Sequence, residues 1–430
     1  MTLPAPPRLV AVTRETIAHE DLLALADPHT PLVWSRRGDG FVGIGRPLIA
    51  LEASADAATR LASTWRAIAD AASVDDEVHA PGTGLLAFGS LAFDEHAEAR
   101  SRSGATSRLV VPPVVVGRTG GKTWITRITR EEASDQGEDV APIPYGPYWS
   151  ATLGPGAQSP DDYTRAVAEA VARIGDGELE KVVLARDLVG SVPAGADLRR
   201  LVRALQSGYP DTWTFAVGGL IGASPETLVT VHDGTLTARV LAGTAARGAD
   251  ADRDAAAAVA LATSQKDLDE HRFAVQSVLG ALAGHTRAVT AAETPFTLKL
   301  PNVWHLATDV EGDLGHEASA LDLVAVLHPT AAVAGTPTAS ALATIRELEP
   351  FDRGRYAGPV GWIDGDGDGE WAIALRCAQF GAESSSPTAE DRDDIPVTAF
   401  AGAGIVASSD PEAELLETRV KFRPIVDALA

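Results

Sequence analysis

The segment Ser159-Pro160-Asp161-Asp162 is the strongest structural punctuation in this chain of 430 residues. It joins a capping serine, a proline at the first helical position and two acids in the first turn, the signature of a helix start. The helix it predicts stops near Gly175 and Gly177, and a strand run follows at once, Lys181-Val182-Val183-Leu184-Ala185-Arg186. Alternation puts Lys181, Val183 and Ala185 on one face of that strand. A lysine facing an interior site loses hydration, which disfavours its charged form and can make it a base near neutral pH. A strand-end lysine that snorkels to water is the competing reading, and the run alone does not choose between them.

Upstream of Ser159, residues 131–158 are polar and rich in Pro and Gly, and divide the chain into residues 1–155 and 156–430. The first part reads as strand-rich with short helices. Residues 84–88 and 108–111 are strand candidates, and a helix fits 54–71 with Ser54 as its cap. In the second part, 250–284 reads as a long helical region, and a further helix runs from Asp410-Pro411 toward the C-terminus with Pro424 as a point of kinking. Strands fit 212–217, 237–241, 360–363, 371–376 and 397–401. Hydrophobic content of 45% and charged content of 22% suit a globular protein. A net charge of −23 argues against nucleic acid or an anionic membrane as a partner, and an anionic substrate would need a local cationic site or a metal. A single cysteine, Cys377, excludes an intramolecular disulfide framework and points to the reducing cytoplasm. No run approaches the roughly 18 apolar residues of a membrane span, and the N-terminus lacks the apolar region of a signal peptide.

Two helical segments each carry acids three residues apart, Asp267 with Glu270 and Glu414 with Glu417. That spacing places each pair on one helical face. Carboxylates converging from two helices suit Mg²⁺, a hard ion that keeps several waters. A solvated acidic face fits the same spacing, and Lys421 stands four residues after Glu417 as in an ordinary surface pair, so spacing leaves both readings open. Residues 364–369 begin like a calcium loop, but position 12 is Leu375 and the flanks read as strands, so a hairpin turn is expected. Gly402-Ala403-Gly404-Ile405-Val406-Ala407 mimics a dinucleotide fingerprint, yet no acid closes a second strand about 20 residues on. As a loop between strand and helix, its backbone amides could still hold a carboxylate.

Ten segments follow one another in a familiar order: residues 180–186, 222–226, 241–245, 266–271, 303–308, 328–335, 347–353, 375–378, 401–406 and 414–418. Among them are Gly222-Ala223-Ser224-Pro225-Glu226, Trp304-His305-Leu306-Ala307-Thr308 and Glu349-Pro350-Phe351-Asp352-Arg353. Together they resemble the chorismate-utilising enzymes, and within them the isochorismate synthases. The resemblance implies an α+β fold, a large antiparallel-sheet sandwich with helices on the outside and the active site deep between the sheets. Residues 1–155 then form a strand-rich subregion of the same fold, and 156–430 the chorismate-binding catalytic region. The implied reaction is the Mg²⁺-dependent, reversible isomerisation of chorismate to isochorismate, in which water adds at C2 while the C4 hydroxyl leaves.

By the same resemblance Lys181 matches the general base and Glu226 the general acid. Glu270 and Glu417 match the Mg²⁺ ligands, with Asp267 and Glu414 behind them. Arg376 and Lys421 match the partners of the substrate carboxylates, aided by backbone at Gly402 and Ala403. His305, Ala332, Val333, Tyr356, Leu375, Phe400, Gly243 and Thr244 match other substrate-binding positions. The chemistry needs Lys181 neutral and Glu226 protonated, and burial pushes both that way. Ammonia-using relatives commonly carry Gln at the Lys181 position, so no glutamine amidotransferase partner is expected. Salicylate synthases keep the lysine and also eliminate pyruvate. They tend to have Thr at the Ala332 position and Arg at the Ala245 position, so the two alanines favour stopping at isochorismate. Salicylate synthase is the alternative activity. An inactive homologue that only binds is the alternative of another class, opposed by the intact Lys181, Glu226, Glu270 and Glu417. One departure is Glu270-His271-Arg272, where many relatives have Glu-His-Glu; the ligand position is intact.

Overall fold

Alternating apolar runs throughout the chain pair into two large sheets, of 13 and 10 strands. The computed structural model describes residues 6–17, 19–94, 106–131, 140–248, 250–299, 303–315, 318–381 and 394–430. Pairing is antiparallel except where Leu9–Glu15 runs parallel to Ser73–Asp76. In the first sheet the order passes from Lys181–Pro193 to Asp394–Ile405, Cys377–Phe380, Leu220–Ser224, Trp213–Val217 and Leu32–Arg36. The second sheet passes from Val303–Leu314 to Thr235–Ala246, Thr227–His232, Gly369–Ile373, Pro359–Asp364 and Leu86–Ser90. Strands from before and after residue 155 thus share both sheets.

Aromatic side chains fill the space between the sheets. Phe41 meets Phe88 and Trp362 edge-on, each with ring centroids 5.5 Å apart. Such pairs add about 0.5–1.5 kcal/mol beyond the area they bury. Two indoles also need polar partners, and both find one in Glu370: Trp34 Nε1 donates to its Oε2 at 2.7 Å and Trp362 Nε1 at 3.1 Å. Gly89 has no room for a side chain, since a Cβ there would lie 2.3 Å from the Trp371 ring.

The Ser159 helix spans Pro160–Gly175, with the serine side chain accepting from the Asp162 N–H. Its buried stripe of Tyr163, Ala166, Val167 and Ala170 packs toward the Lys181 strand, and Tyr163 donates to the Leu184 carbonyl at 3.2 Å. The helical region expected over 250–284 is two helices, Ala251–Thr263 and Gln265–Leu282. They break at Ser264, whose side chain caps the second by accepting from the Asp267 N–H. The last helix is Pro411–Leu429, capped by Asp410, with Pro424 inside it.

Several expectations change. The first helix is Ala57–Asp70, preceded by Asp56 in a left-handed conformation without a side-chain cap bond, so Ser54 is not its cap. The strand expected over 371–376 stops at Ile373. The strand expected over 397–401 extends through Ile405, so Gly402–Gly404 lie in a strand and not in a loop. Residues 364–369 do form a hairpin turn, between Pro359–Asp364 and Gly369–Ile373. Among the described residues no helix is long and apolar enough to cross a membrane.

Candidate active site

Two of the places where the chain crosses between the sheets adjoin, and each of these crossings carries a charged residue. Leu220–Ser224 leaves the first sheet through Pro225 and Glu226 and enters the second as Thr227–His232. Gly369–Ile373 returns from the second sheet through Leu375 and Arg376 to Cys377–Phe380. Backbone bonds stitch the crossings together: Ala223 N–H donates to Arg376 O at 3.1 Å, and Ile373 N–H to Glu226 O at 3.0 Å. Ser224 Oγ adds a bond to Ile373 O at 2.5 Å. Arg376 has φ 48°, a left-handed conformation uncommon for a bulky residue and typical of functional sites.

Lys181 opens its strand beside Thr336 and lies over Gly404 of the neighbouring strand. A Cβ on Gly404 would be 3.2 Å from Lys181 Cε. Lys421, on the last helix, reaches the same strand: Nζ donates to Gly402 O at 2.8 Å and pairs with Glu417 Oε1 at 2.6 Å. Three basic side chains therefore converge on Glu226. Burial raises its carboxyl above the ordinary range, against the pull of Lys181, Arg376 and Lys421. Desolvation prevails although the residue is only half-buried overall.

The cations share that desolvation. Burial lowers Lys421, with Glu417 opposing, and lowers Arg376, with Tyr356, Glu417 and Glu226 opposing. His305 is likewise lowered by burial, with the Gly243 carbonyl opposing and Lys181 and Lys421 adding to the shift. Its imidazole is therefore neutral near pH 7. Gly243 has φ 78° and sits in a bulge where pairing shifts between Ala242 and Thr244, which turns its carbonyl toward the ring.

The strand at Gly402 offers amides selectively. Val183 N–H donates to Ala334 O and Ala185 N–H to Glu349 Oε1, so both turn away from the Asp394–Ile405 strand. Their register partners Gly404 and Gly402 must turn away too, and the Lys421 bond to Gly402 O fits this. Ala403, opposite Leu184, turns its amide into the ladder. Sequence reasoning treated Gly402 and Ala403 alike as loop donors. Strand geometry gives an outward amide to Gly402 and none to Ala403.

Both acidic pairs border this region. Glu414 accepts from Ser409 Oγ at 2.7 Å. Its carboxyl is raised by burial and by Glu417, with the Ser409 bond opposing. Asp267 starts the other helix beside the bulge, since a Cβ on Gly243 would lie 3.3 Å from Asp267 Cβ. Gly243 bonds His305, and His305 in turn feels Glu417. Glu270 lies on the Gln265–Leu282 helix, but its side chain, like that of Thr244, is outside the described residues. The donors are all carboxylate oxygens, as a hard divalent cation prefers. Burial and Glu417 both work against a charged Glu414, and a bound cation would reverse that balance, so the residues fit such an ion. A separate group, His232, Asp233 and Asp368, brings ligand atoms within 4.8 Å. There the Asp368 carboxylate already accepts from the Asp233 and Gly234 N–H groups.

An aromatic wall completes the site. Tyr356 stacks on Phe400 with centroids 5.1 Å apart, and burial keeps its hydroxyl protonated. Val333 is buried in the segment that pairs with the start of the Lys181 strand, with Ala332 beside it. Sequence reasoning assigned no role to Glu349 and Arg353, a buried ion pair at 2.6 Å against this wall. Their four-residue spacing was visible, but not what they hold.

Residues 148–430 match the family model described as chorismate binding enzyme. The chain is 36% identical over 356 residues to the isochorismate synthase DhbC of Bacillus subtilis, spanning 80% of each chain. The solved structure of DhbC from Bacillus anthracis superposes with a TM-score of 0.70 at 29% identity, covering 95% of this chain and 98% of the other. MenF of Escherichia coli, a menaquinone-specific isochorismate synthase, shares the fold with a TM-score of 0.72 at 24% identity, covering 99% and 96%. By sequence and by architecture alike, the chain belongs to the chorismate-binding enzyme family.

Proposed function

We propose that this protein is an isochorismate synthase, which isomerises chorismate to isochorismate reversibly with Mg²⁺. The observation that carries the reading is Glu226, a carboxyl raised by burial despite the basic side chains of Lys181, Arg376 and Lys421 beside it. A shift in that direction favours the proton-donating form, and Lys181 is the complementary base. Lys181 takes a proton from water as the oxygen bonds to C2. The ring double bonds shift, and the C4 hydroxyl leaves as water with the proton from Glu226. Return of the proton from Lys181 to Glu226 through solvent resets the pair. Each transfer contributes roughly 10²–10⁴-fold.

Arg376 and Lys421 bind the substrate carboxylates, and the outward Gly402 amide adds a donor. Glu270 and Glu417 would hold Mg²⁺, with Asp267 and Glu414 behind them. When bound, the ion stabilises negative charge at the ring carboxylate. His305, Ala332, Val333, Tyr356, Leu375, Phe400, Gly243 and Thr244 shape the pocket. Ala332 and Ala245 favour release of isochorismate before pyruvate is lost. Water, and not ammonia, is the nucleophile, so no amidotransferase is required. The buried thiol of Cys377 suits a cytoplasmic enzyme.

Incubation of pure protein with chorismate and Mg²⁺, followed by chromatography, tests this. Isochorismate without salicylate or pyruvate is expected. Salicylate with pyruvate supports the alternative activity, and no turnover supports a binding protein. Lys181→Gln should abolish water addition, and substantial residual isochorismate formation sinks the base assignment.

A further inference from the structure

The outer edge of the Lys181 strand is paired in two short stretches. Gly335–Thr336 pairs with Val182 and Lys181, and Gly154–Pro155 pairs with Val189 and Leu188. Between them, the edge groups of Val183 and Ala185 need partners. Val183 N–H is met by the Ala334 carbonyl. The next two groups are met by side chains. Arg353 Nη2 donates to the Val183 carbonyl at 2.7 Å, and Glu349 Oε1 accepts from the Ala185 N–H at 2.8 Å. The two side chains bond each other twice, Nη2 to Oε1 at 2.6 Å and Nε to Oε2 at 2.9 Å. The ion pair thus stands where a neighbouring strand would stand.

It also reaches the adjoining Val333 segment. Arg353 Nη1 donates to the Val333 carbonyl at 3.0 Å, and the guanidinium lies 4.3 Å from the centroid of the Phe93 ring. Both residues are buried, at 7% exposure for Glu349 and 3% for Arg353. One planar fork therefore ties the Lys181 strand to the Val333 segment beyond the point where their backbone pairing ends. Lysine could not substitute, because one ammonium cannot span two carbonyls and both carboxylate oxygens in that geometry.

We propose that Glu349 and Arg353 are positioning residues for Lys181. They hold its strand in register with the Val333 segment and so fix where the amine meets substrate. The inference rests on the reading of Lys181 as the base, and it gives neither side chain a contact with substrate.

The test compares Arg353→Lys, Arg353→Met and Lys181→Gln in the full chain with chorismate and Mg²⁺. Displacement of the base by a fraction of an ångström should lower kcat about tenfold in Arg353→Lys and further in Arg353→Met, with KM within about threefold. As Lys181 regains water, the acid limb of kcat/KM should move to higher pH. A merely structural pair would lower activity in step with the folded fraction seen by circular dichroism and leave that limb in place, which overturns the proposal. Should Arg353→Met not fold, Arg353→Lys decides alone, since it keeps the charge pair. Should that also not fold, Glu349→Gln decides by the same pH limb. If Lys181→Gln keeps making isochorismate, the base reading and this proposal both fall. If Lys181→Gln is inactive while Arg353→Lys keeps the parent kcat and pH limb, only the positioning role falls.

Discussion

A single methyl group at Gly404 should separate activity from stability in this site. Gly404 lies in the Asp394–Ile405 strand opposite Val183, and its φ is outside the left-handed region, so alanine fits the backbone. The new Cβ would stand 3.2 Å from Lys181 Cε and 3.9 Å from Nζ. Relaxed carbon contacts lie at about 3.5–4.0 Å, so the lysine tail must retreat by roughly 0.3–0.8 Å. Rotation about its side-chain bonds absorbs that cheaply, but the amine moves with it. A misplacement of about 1 Å can cost ~10²-fold, so a fall in kcat of about three- to tenfold is expected, equivalent to ~0.7–1.4 kcal/mol of barrier. Stability should move the other way, because alanine restricts the unfolded chain and gains about 0.4–1 kcal/mol. Gly402→Ala is the contrast. Its Cβ would meet Leu184 O at 2.8 Å and Ala185 Cα at 3.3 Å, backbone atoms with no rotation to escape through. That variant should lose Tm. Initial rates of isochorismate formation against chorismate concentration, with thermal unfolding by circular dichroism, check both. A Gly404→Ala enzyme with parental kcat, or with a Tm loss like that of Gly402→Ala, refutes the placement of Lys181 over Gly404.

Glu226→Gln should lower kcat by about 10²–10⁴-fold, measured by product chromatography. Because folding raises the Glu226 carboxyl, its contribution to stability is complete at low pH and is lost as pH rises through the raised value. The same variant should therefore melt higher than the parent at pH 8 and close to it at pH 4. Lys421→Met keeps helix propensity but removes the bonds to Glu417 and Gly402. A charge-assisted hydrogen bond to substrate is worth about 1.5–3 kcal/mol, so chorismate KM should rise roughly 10–100-fold in steady-state assays. Chelation should abolish turnover, and Mg²⁺ should restore it and raise Tm in proportion to the logarithm of its concentration; a Tm indifferent to Mg²⁺ would refute the acidic pairs as its site.

Sequence pattern exposed the parts of this fold that local chemistry specifies. The Ser159 cap, the Asp410 cap and the apolar run after Lys181 all report contacts within a few residues; the two helices and the strand stand where expected, though Val182 to Asp187 are buried on both faces and do not alternate. The helix Arg199–Gly208 went unread, although Asp197 Oδ1 accepts from its first N–H at Arg199, because Leu198 stands between that aspartate and the helix. Ala320–Leu327 carries a full capping box from Ser319 and Asp322, but an apolar run so short fits a buried strand as well as a helix, so pattern alone does not identify it. Gly402-Ala403-Gly404 misled for a different reason. Glycine usually marks a turn, yet here Gly404 makes room for Lys181 and Gly402 for the backbone of Leu184. Close approach across strands is a long-range demand, and a single sequence does not show it. The candidate site was legible through its resemblance to a family, not through spacing, because its charged residues meet only where two crossings between the sheets, far apart in the sequence, adjoin.

Those crossings explain how a chain of net charge −23 can hold a dianion. A charged side chain in mid-strand faces either solvent or a packed interior. One at a crossing stands where the two sheets part, sheltered enough to lose water but not sealed in a core. Glu226 and Arg376 occupy such points, and backbone bonds between the crossings leave neither free to drift. Lys181 and Lys421 arrive from the adjoining strand and helix, and Lys421 is anchored by the Gly402 carbonyl. The same partial desolvation then acts on every group with opposite consequences. It raises the Glu226 carboxyl and lowers the His305 imidazole, and leaves the guanidinium of Arg376 charged because its ordinary pKa is so high. One environment thus shifts a carboxyl and an imidazole toward their uncharged forms and keeps a fixed cation, without a separate device for each.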